Sequence, residues 1–182
     1  MAGLRAMFGA EVAKKVALAL TSLIRGQFPR DNLYILGFSL YAKKFKAEDL
    51  PKLTWSEWNI GTNMHHGFQV SRQLLGRQKG GNKQIIMITD GEPTAHMMAN
   101  GEADFSYPPT RETFVETLKE VQRCTREGIT INTFMLEQSQ MLTQFIDQLT
   151  RINKGRAFFA SPDRLGEYIL VDYVRNKRRS IA

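Results

Sequence analysis

Gln84-Ile85-Ile86-Met87-Ile88-Thr89-Asp90-Gly91-Glu92-Pro93 is the stretch that sets the fold. Ile85 to Ile88 are consecutive large apolar residues that run into Thr89-Asp90-Gly91. That pattern predicts a strand buried on both faces that delivers a carboxylate to its own carboxyl end. Open α/β sheets place their ligands at that end. The alternative is that Asp90-Gly91 is only the turn leaving a buried strand, with Gly91 supplying the backbone angle.

The sequence on either side alternates between strand and helix signals. Upstream, Val12, Val16, Leu20 and Leu23 recur at helical spacing over residues 11–25, and the helix is expected to end near Gly26. A strand follows at Leu33 to Phe38, with a short second strand at Tyr41 to Phe45 after the Ser39-Leu40 corner. Residues 47–60, with Pro51, Trp55 and Trp58, read as an irregular loop pinned by aromatic side chains. Asn63 or Thr62 is the expected cap of a helix carrying Met64, Phe68, Ser71 and Leu75 on one face, and Gly80-Gly81-Asn82 turns into the 84–89 strand.

Downstream of Pro93, residues 94–109 show no clear period and read as a long loop, a class that is usually functional or mobile. Thr110 caps a helix bearing Phe114, Leu118 and Val121, closed by Gly128. Ile129 to Leu136 reads as a strand, Met141 to Ile152 as a helix, and Ala157 to Ala160 as a short strand. Ser161-Pro162-Asp163 then reads as a helix start. The alternation predicts an α/β fold over residues 1–182 as one domain, a doubly wound, mostly parallel sheet with helices on both faces.

Composition narrows the function classes. With 182 residues, 42% hydrophobic and 24% charged, the chain suits a globular domain with a substantial core. The formal charge of +7 is compatible with acidic partners, but the basic residues are scattered, and Arg175, Lys177, Arg178 and Arg179 read as a solvated helix end. One cysteine, Cys124, leaves no internal disulfide and is read as a structural thiol in a helix. The apolar run Val16 to Ile24 is too short and too polar to span a bilayer and lacks a signal-peptide cleavage site. The expectation is a cytoplasmic protein.

The order of first helix, Tyr34-Ile35-Leu36-Gly37-Phe38-Ser39 strand, Gly61-Thr62-Asn63 loop and Ile86-Met87-Ile88-Thr89-Asp90-Gly91-Glu92-Pro93 resembles a von Willebrand factor type A (vWA) domain from about residue 10 to about residue 177. More narrowly it looks like the cytoplasmic bacterial members that accompany AAA+ ATPases of the MoxR or magnesium-chelatase kind. The resemblance implies a metal-ion-dependent adhesion site (MIDAS), in which a divalent cation, usually magnesium, sits at the carboxyl ends of the strands. Its threonine and aspartate ligands fall on Thr62 and Asp90. The remaining ligands of the family come from an Asp-x-Ser-x-Ser run after a first apolar strand, and that element has no match here.

In a doubly wound order the first strand is central, so its absence should leave a gap between the Leu33 to Phe38 and Gln84 to Thr89 strands. Four apolar side chains at roughly 1.5–3 kcal/mol each would rival the roughly 5–15 kcal/mol stability of a whole domain. The expectation is that the natural protein continues upstream of Met1, and that magnesium binding by Thr62 and Asp90 alone is weak or absent. The implied function is non-catalytic: an interaction module whose partner, an AAA+ ATPase or its client, offers an acidic residue to the cation. The alternative is a metal-dependent hydrolase built from Asp90, Glu92, His65, His66 and His96. Adjacent histidines on a helix diverge by about 100°, unlike an i, i+4 metal pair. A nucleotide-binding domain is disfavoured because no glycine-rich phosphate loop follows a strand, and nucleic-acid binding rests on net charge alone.

Overall fold

A computed structural model of the chain describes the backbone of residues 2–53, 61–161 and 163–181, and the side chains of residues 11–175 within those ranges. The elements in order are α1 (Ala2–Gln27), β1 (Ile35–Phe38), β2 (Ala42–Phe45), a 3-10 turn (Ala47–Lys52), α2 (Met64–Gly76), β3 (Lys83–Thr89), β4 (Ala95–Met97), β5 (Ala103–Phe105), α3 (Arg111–Arg126), β6 (Ile129–Met135), α4 (Gln140–Asn153), β7 (Ala157–Phe159) and α5 (Leu165–Ile181).

The expected mixed α/β architecture is present. β3, β6 and β7 form a parallel sheet in that order, with Lys83 opposite Ile129 and Thr89 opposite Met135. Side chains of a strand alternate between faces, and the two faces here carry two cores. On one, Ile85 and Met87 meet Ile129 and Ile131, under Met64 and Phe68 of α2, Val121 and Cys124 of α3, and Phe145 and Leu149 of α4. On the other, Ile86 and Ile88 meet Phe134, under Val16 and Leu20 of α1 and Leu165 and Ile169 of α5. Helices therefore cover both faces.

Turn chemistry joins these layers. Asn63 accepts from the His66 backbone N–H and caps α2, Thr110 does the same for α3, and Ser139 for α4. After α4 the chain turns at Lys154, in the left-handed region at φ 59°, and Gly155 then passes against β6. A Cβ at Gly155 would lie 1.8 Å from the Ile131 carbonyl oxygen, so only glycine fits. Asn153 completes the junction: its Oδ1 accepts from the Ile131 N–H at 2.6 Å, and its Nδ2 donates to the Ile129 carbonyl at 2.9 Å.

Several expectations need correction. The 94–109 stretch is not a featureless loop: β4 and β5 pair as an antiparallel hairpin, Ala95 opposite Phe105 and Met97 opposite Ala103. Strands of three residues are too short for a sequence period to register. α1 begins well before residue 11, and α5 begins at Leu165 rather than at Pro162, with Asp163 and Arg164 in a turn. Residues 47–52 form a 3-10 turn, while Trp55, Trp58 and Pro162 lie outside the described residues.

The largest difference concerns the two faces of β3. Lys83 to Ile86 and Ile88 are only half-buried, where a strand buried on both faces was expected. The cause is a vacant edge. β1 and β2 form their own antiparallel pair, and among the described residues neither joins the β3-β6-β7 sheet. Between β1 and β3 lies a cavity of about 530 Å³, walled by Val16 and Leu20 from above and by Met64 and Phe68 from below. The gap expected from the sequence is thus present as an apolar slot.

Candidate functional site

Asp90 stands immediately after β3, and its side chain is half-buried. The Thr89 hydroxyl shapes the turn: it donates to the Gly91 carbonyl at 3.0 Å and accepts from the Gly91 N–H at 3.3 Å. Burial pushes the Asp90 carboxyl above its ordinary value, a backbone hydrogen bond opposes the rise, and the Glu137 carboxylate adds to it. A carboxylate taken part-way out of water beside a like charge is a place where a cation is favoured.

Thr62 reaches the same end of the sheet by another route. Gly61 adopts φ +77°, which turns the chain toward α2, and the Phe105 ring covers the position where its side chain would be, 3.0 Å away. The Thr62 N–H donates to the Thr94 hydroxyl at 2.7 Å, and the Thr94 N–H donates to the Thr62 carbonyl at 3.0 Å. Two bonds in opposite directions therefore fasten the Thr62 loop to the segment that leaves Asp90. Ser106 donates its N–H to the Thr94 carbonyl at 3.0 Å, which hangs the β4–β5 hairpin on the same anchor.

The three histidines are distributed rather than gathered. His65 Nδ1 accepts the Met97 N–H of β4 at 2.9 Å, and His66 Nδ1 accepts the Ala42 N–H of β2 at 2.9 Å. Consecutive positions on α2 thus serve two different hairpins. As acceptors, both rings carry their proton on Nε2. Burial lowers the pKa of each imidazole; for His65 the nearby Glu120 and Glu116 carboxylates oppose that shift. His96 is buried with its Nδ1 3.1 Å from the Thr113 hydroxyl. Glu92 accepts from the Ser139 hydroxyl and so joins the loop after β3 to the start of α4. Among the described residues no three His, Cys, Asp or Glu side chains converge as a metal cluster would require.

Magnesium takes near-octahedral oxygen coordination. Thr62 and Asp90 supply one hydroxyl and one carboxylate, Glu137 adds a second carboxylate near Asp90, and no third His, Cys, Asp or Glu side chain converges with that pair among the described residues. This donor set does not make a closed magnesium site.

Three residues of this region were not singled out from sequence. Thr94 is the loop anchor. Glu137 comes up beside Asp90 because β6 runs parallel to β3 with Met135 opposite Thr89, so the residues after each strand share one end. Ser139 both caps α4 and holds Glu92. The strand register, once known, locates the last two; Thr94 carries no sequence signal.

A parallel sheet with helices on both faces and an aspartate at a strand end is the arrangement of doubly wound α/β domains, the class that includes the vWA domain. Within it, residues 6–174 match the family described as Rv0959-like protein, vWA domain, and the chain belongs to that family. Uncharacterized proteins of Mycobacterium tuberculosis (Rv0959) and Mycobacterium bovis (Mb0984) are each 35% identical to it over 170 residues. The match covers 91% of this chain and 25% of each relative, so the chain spans about a quarter of their length.

Two solved structures share the fold. The PilB minor pilin from Streptococcus sanguinis superposes with a TM-score of 0.67 at 13% identity, over 95% of this chain and 55% of that one. The conserved hypothetical protein BatB from Bacteroides thetaiotaomicron gives 0.63 at 13% identity, over 93% and 88%. No helix among the described residues is long and apolar enough to cross a membrane.

Proposed function

We propose that this chain is a non-catalytic protein–protein interaction module that engages its partner at the carboxyl end of β3, over Asp90, Thr62 and the β4–β5 hairpin. The observation that carries the reading is the half-buried Asp90 carboxylate beside a rim of exposed apolar groups. Tyr41, Met98, Phe105 and Tyr107 are all exposed, Tyr107 to 79%, and the Tyr41 hydroxyl accepts from the Ala103 N–H of the hairpin at 3.3 Å. Aromatic residues and methionine are the groups that protein interfaces favour at their cores.

The partner class is an AAA+ ATPase or the client such an ATPase remodels, in the cytoplasm, offering an acidic side chain to the face. A magnesium ion bridges the two proteins only where oxygen donors from outside residues 1–182 add to Thr62 and Asp90. The test is a binding measurement against a candidate ATPase by biolayer interferometry. Asp90→Ala and Thr62→Ala should each weaken binding at least about tenfold, the scale of an interface anchor, while Val171→Ala on the exposed side of α5 should leave it unchanged. Wild-type affinity in both site variants would overturn the reading. Zinc-dependent hydrolytic turnover lost in Asp90→Ala would favour the hydrolase alternative instead.

A further inference from the structure

His65 and His66 stand side by side on α2 and hold the two hairpins that frame the proposed face. His65 Nδ1 accepts the Met97 N–H of β4, and His66 Nδ1 accepts the Ala42 N–H of β2, each at 2.9 Å. Consecutive side chains of a helix point about 100° apart, so one turn of α2 reaches two different strands. The Tyr41 ring stands edge-on to the His66 ring at 6.0 Å, and the Tyr41 hydroxyl accepts the Ala103 N–H of β5 at 3.3 Å. Each hairpin is therefore tied to the helix by an imidazole and to the other hairpin by a tyrosine. The same hairpins carry Tyr41, Met98 and Phe105 of the exposed rim.

An imidazole that accepts at Nδ1 is neutral and carries its proton on Nε2. A second proton puts an N–H on Nδ1, donor then faces donor, and the bond to the backbone N–H is lost. The neighbours decide where the charged ring turns. At His65, burial disfavours the charge, the Glu120 and Glu116 carboxylates of α3 favour it, and His96 of β4 and Arg123 of α3 oppose it. Glu120 is fully buried between Arg72 and Arg123, whereas the Glu116 side chain is 27% exposed beside Lys119, so Glu116 is the carboxylate free to receive the ring. At His66 burial disfavours the charge, and the charged residues of the β2 strand it holds, Lys43 and Lys44, are exposed and lie over the Phe45 and Tyr34 rings. Other ties do not titrate near neutrality: the Thr62–Thr94 pair, and the Asn63 bonds to the Ser39 and Leu40 carbonyls. These persist as hinges when the imidazole bonds break.

We infer that His65 and His66 form a proton-operated latch on the proposed interaction face, a form of regulation that rests on reading the rim as that face. Neutral, they clamp the β4–β5 hairpin and β2 onto α2. Protonated, they let go, and both segments loosen around their Thr94 and Ser39 anchors. The rim is therefore ordered for a partner near neutrality and loosened in acid. Burial holds both imidazoles below their ordinary value of 6.5, so the latch opens below that pH. His96 works in the opposite direction. Its Nδ1 lies 3.1 Å from the Thr113 hydroxyl and 3.9 Å from the Asp104 carboxylate, and its Nε2 lies 4.0 Å from Glu112. A charge on His96 is met by carboxylates of β5 and α3, so the hairpin keeps its hold on α3 and release is local to Met97 and Ala42.

The experiment follows amide protection and imidazole titration together, by NMR of the partner-free chain between about pH 7.5 and about pH 5. Protection factors, which already correct for intrinsic exchange, should fall at least about tenfold at Met97 and Ala42 as the two rings titrate. The Ile131 amide, held by Asn153, should keep its protection and so mark the opening as local. His65→Gln supplies an oxygen that accepts without titrating, so Met97 should lose its pH dependence while Ala42 keeps it, and His66→Gln should give the reverse. If a glutamine fails to hold its strand, the wild-type match between ring titration and amide protection still decides. Constant protection through the titration of both rings, rings that stay neutral throughout, or an equal fall at Ile131 would each overturn the latch. No partner enters these readouts, so a failed latch is distinct from a failed interaction face, which the Asp90→Ala and Thr62→Ala binding measurement reports.

Discussion

The two edges of β3 could hardly differ more. Toward β6, seven residues pair in unbroken parallel register, and the strand beyond is buried from Ile131 to Met135. Toward β1, Lys83 to Ile88 border an apolar slot, and all of them but Met87 are only half-buried. One strand therefore divides the molecule into a finished half and an open half. The lesson concerns the site as well, because Asp90 stands at the end of this strand and inherits both neighbourhoods. Glu137 and the Glu92–Ser139 contact come from the finished side. From the open side come Thr62 and its Thr94 anchor.

The largest effects should separate the halves directly. Phe134 is fully buried and stacks on Phe158 at 5.0 Å, so Phe134→Ala should cost about 3–5 kcal/mol in urea unfolding. Leu36→Ala, in β1 beside the slot, should cost no more than about 1 kcal/mol, because its side chain is only half-buried and borders a void. Comparable losses would erase the distinction. Asn153→Ala comes next: it strands the Ile131 N–H and Ile129 carbonyl and should cost about 1–3 kcal/mol.

pH offers a subtler probe of how the hairpins are held. His65 and His66 are harder to protonate when folded, so the unfolded chain binds more protons below its ordinary imidazole value of 6.5. Their contribution to stability is therefore complete above that pH and is lost as pH falls below it. The urea midpoint should fall on acidification from pH 7 toward pH 5, and the fall should be shallower in the His65→Gln, His66→Gln double variant. The smallest effect is chemical. Cys124 is fully buried and its thiol is pushed up to about 12, so maleimide labelling of the folded chain should be negligible and appear only on unfolding.

The finished half was legible in the sequence because its signals are long. The Gln84 to Thr89 run, the Thr110 cap, Gly128 and the Ile129 strand all sit where periodicity and turn chemistry place them. The central gap was legible for a different reason, since a doubly wound order leaves only one place for a missing first strand. What sequence could not show was short or tertiary. β4 and β5 have too few residues to make a pattern. Thr94 and Glu137 reach the site through loop ties and strand register, which no local window contains. His65 and His66, which helix geometry reads as pointing apart, are acceptors for Met97 and Ala42, a use visible only once the hairpins are in place.

The central claim is that β3 is an interior strand with one edge paired and the other vacant. Residue-resolved amide exchange of residues 1–182 tests it most directly, because alternate amides of a strand point to opposite edges. The account predicts that alternate amides within Lys83–Thr89 exchange slowly, protected by β6, while those between them exchange fast into the slot. Uniform slow exchange along β3 would mean that the second edge is already closed, and would contradict it.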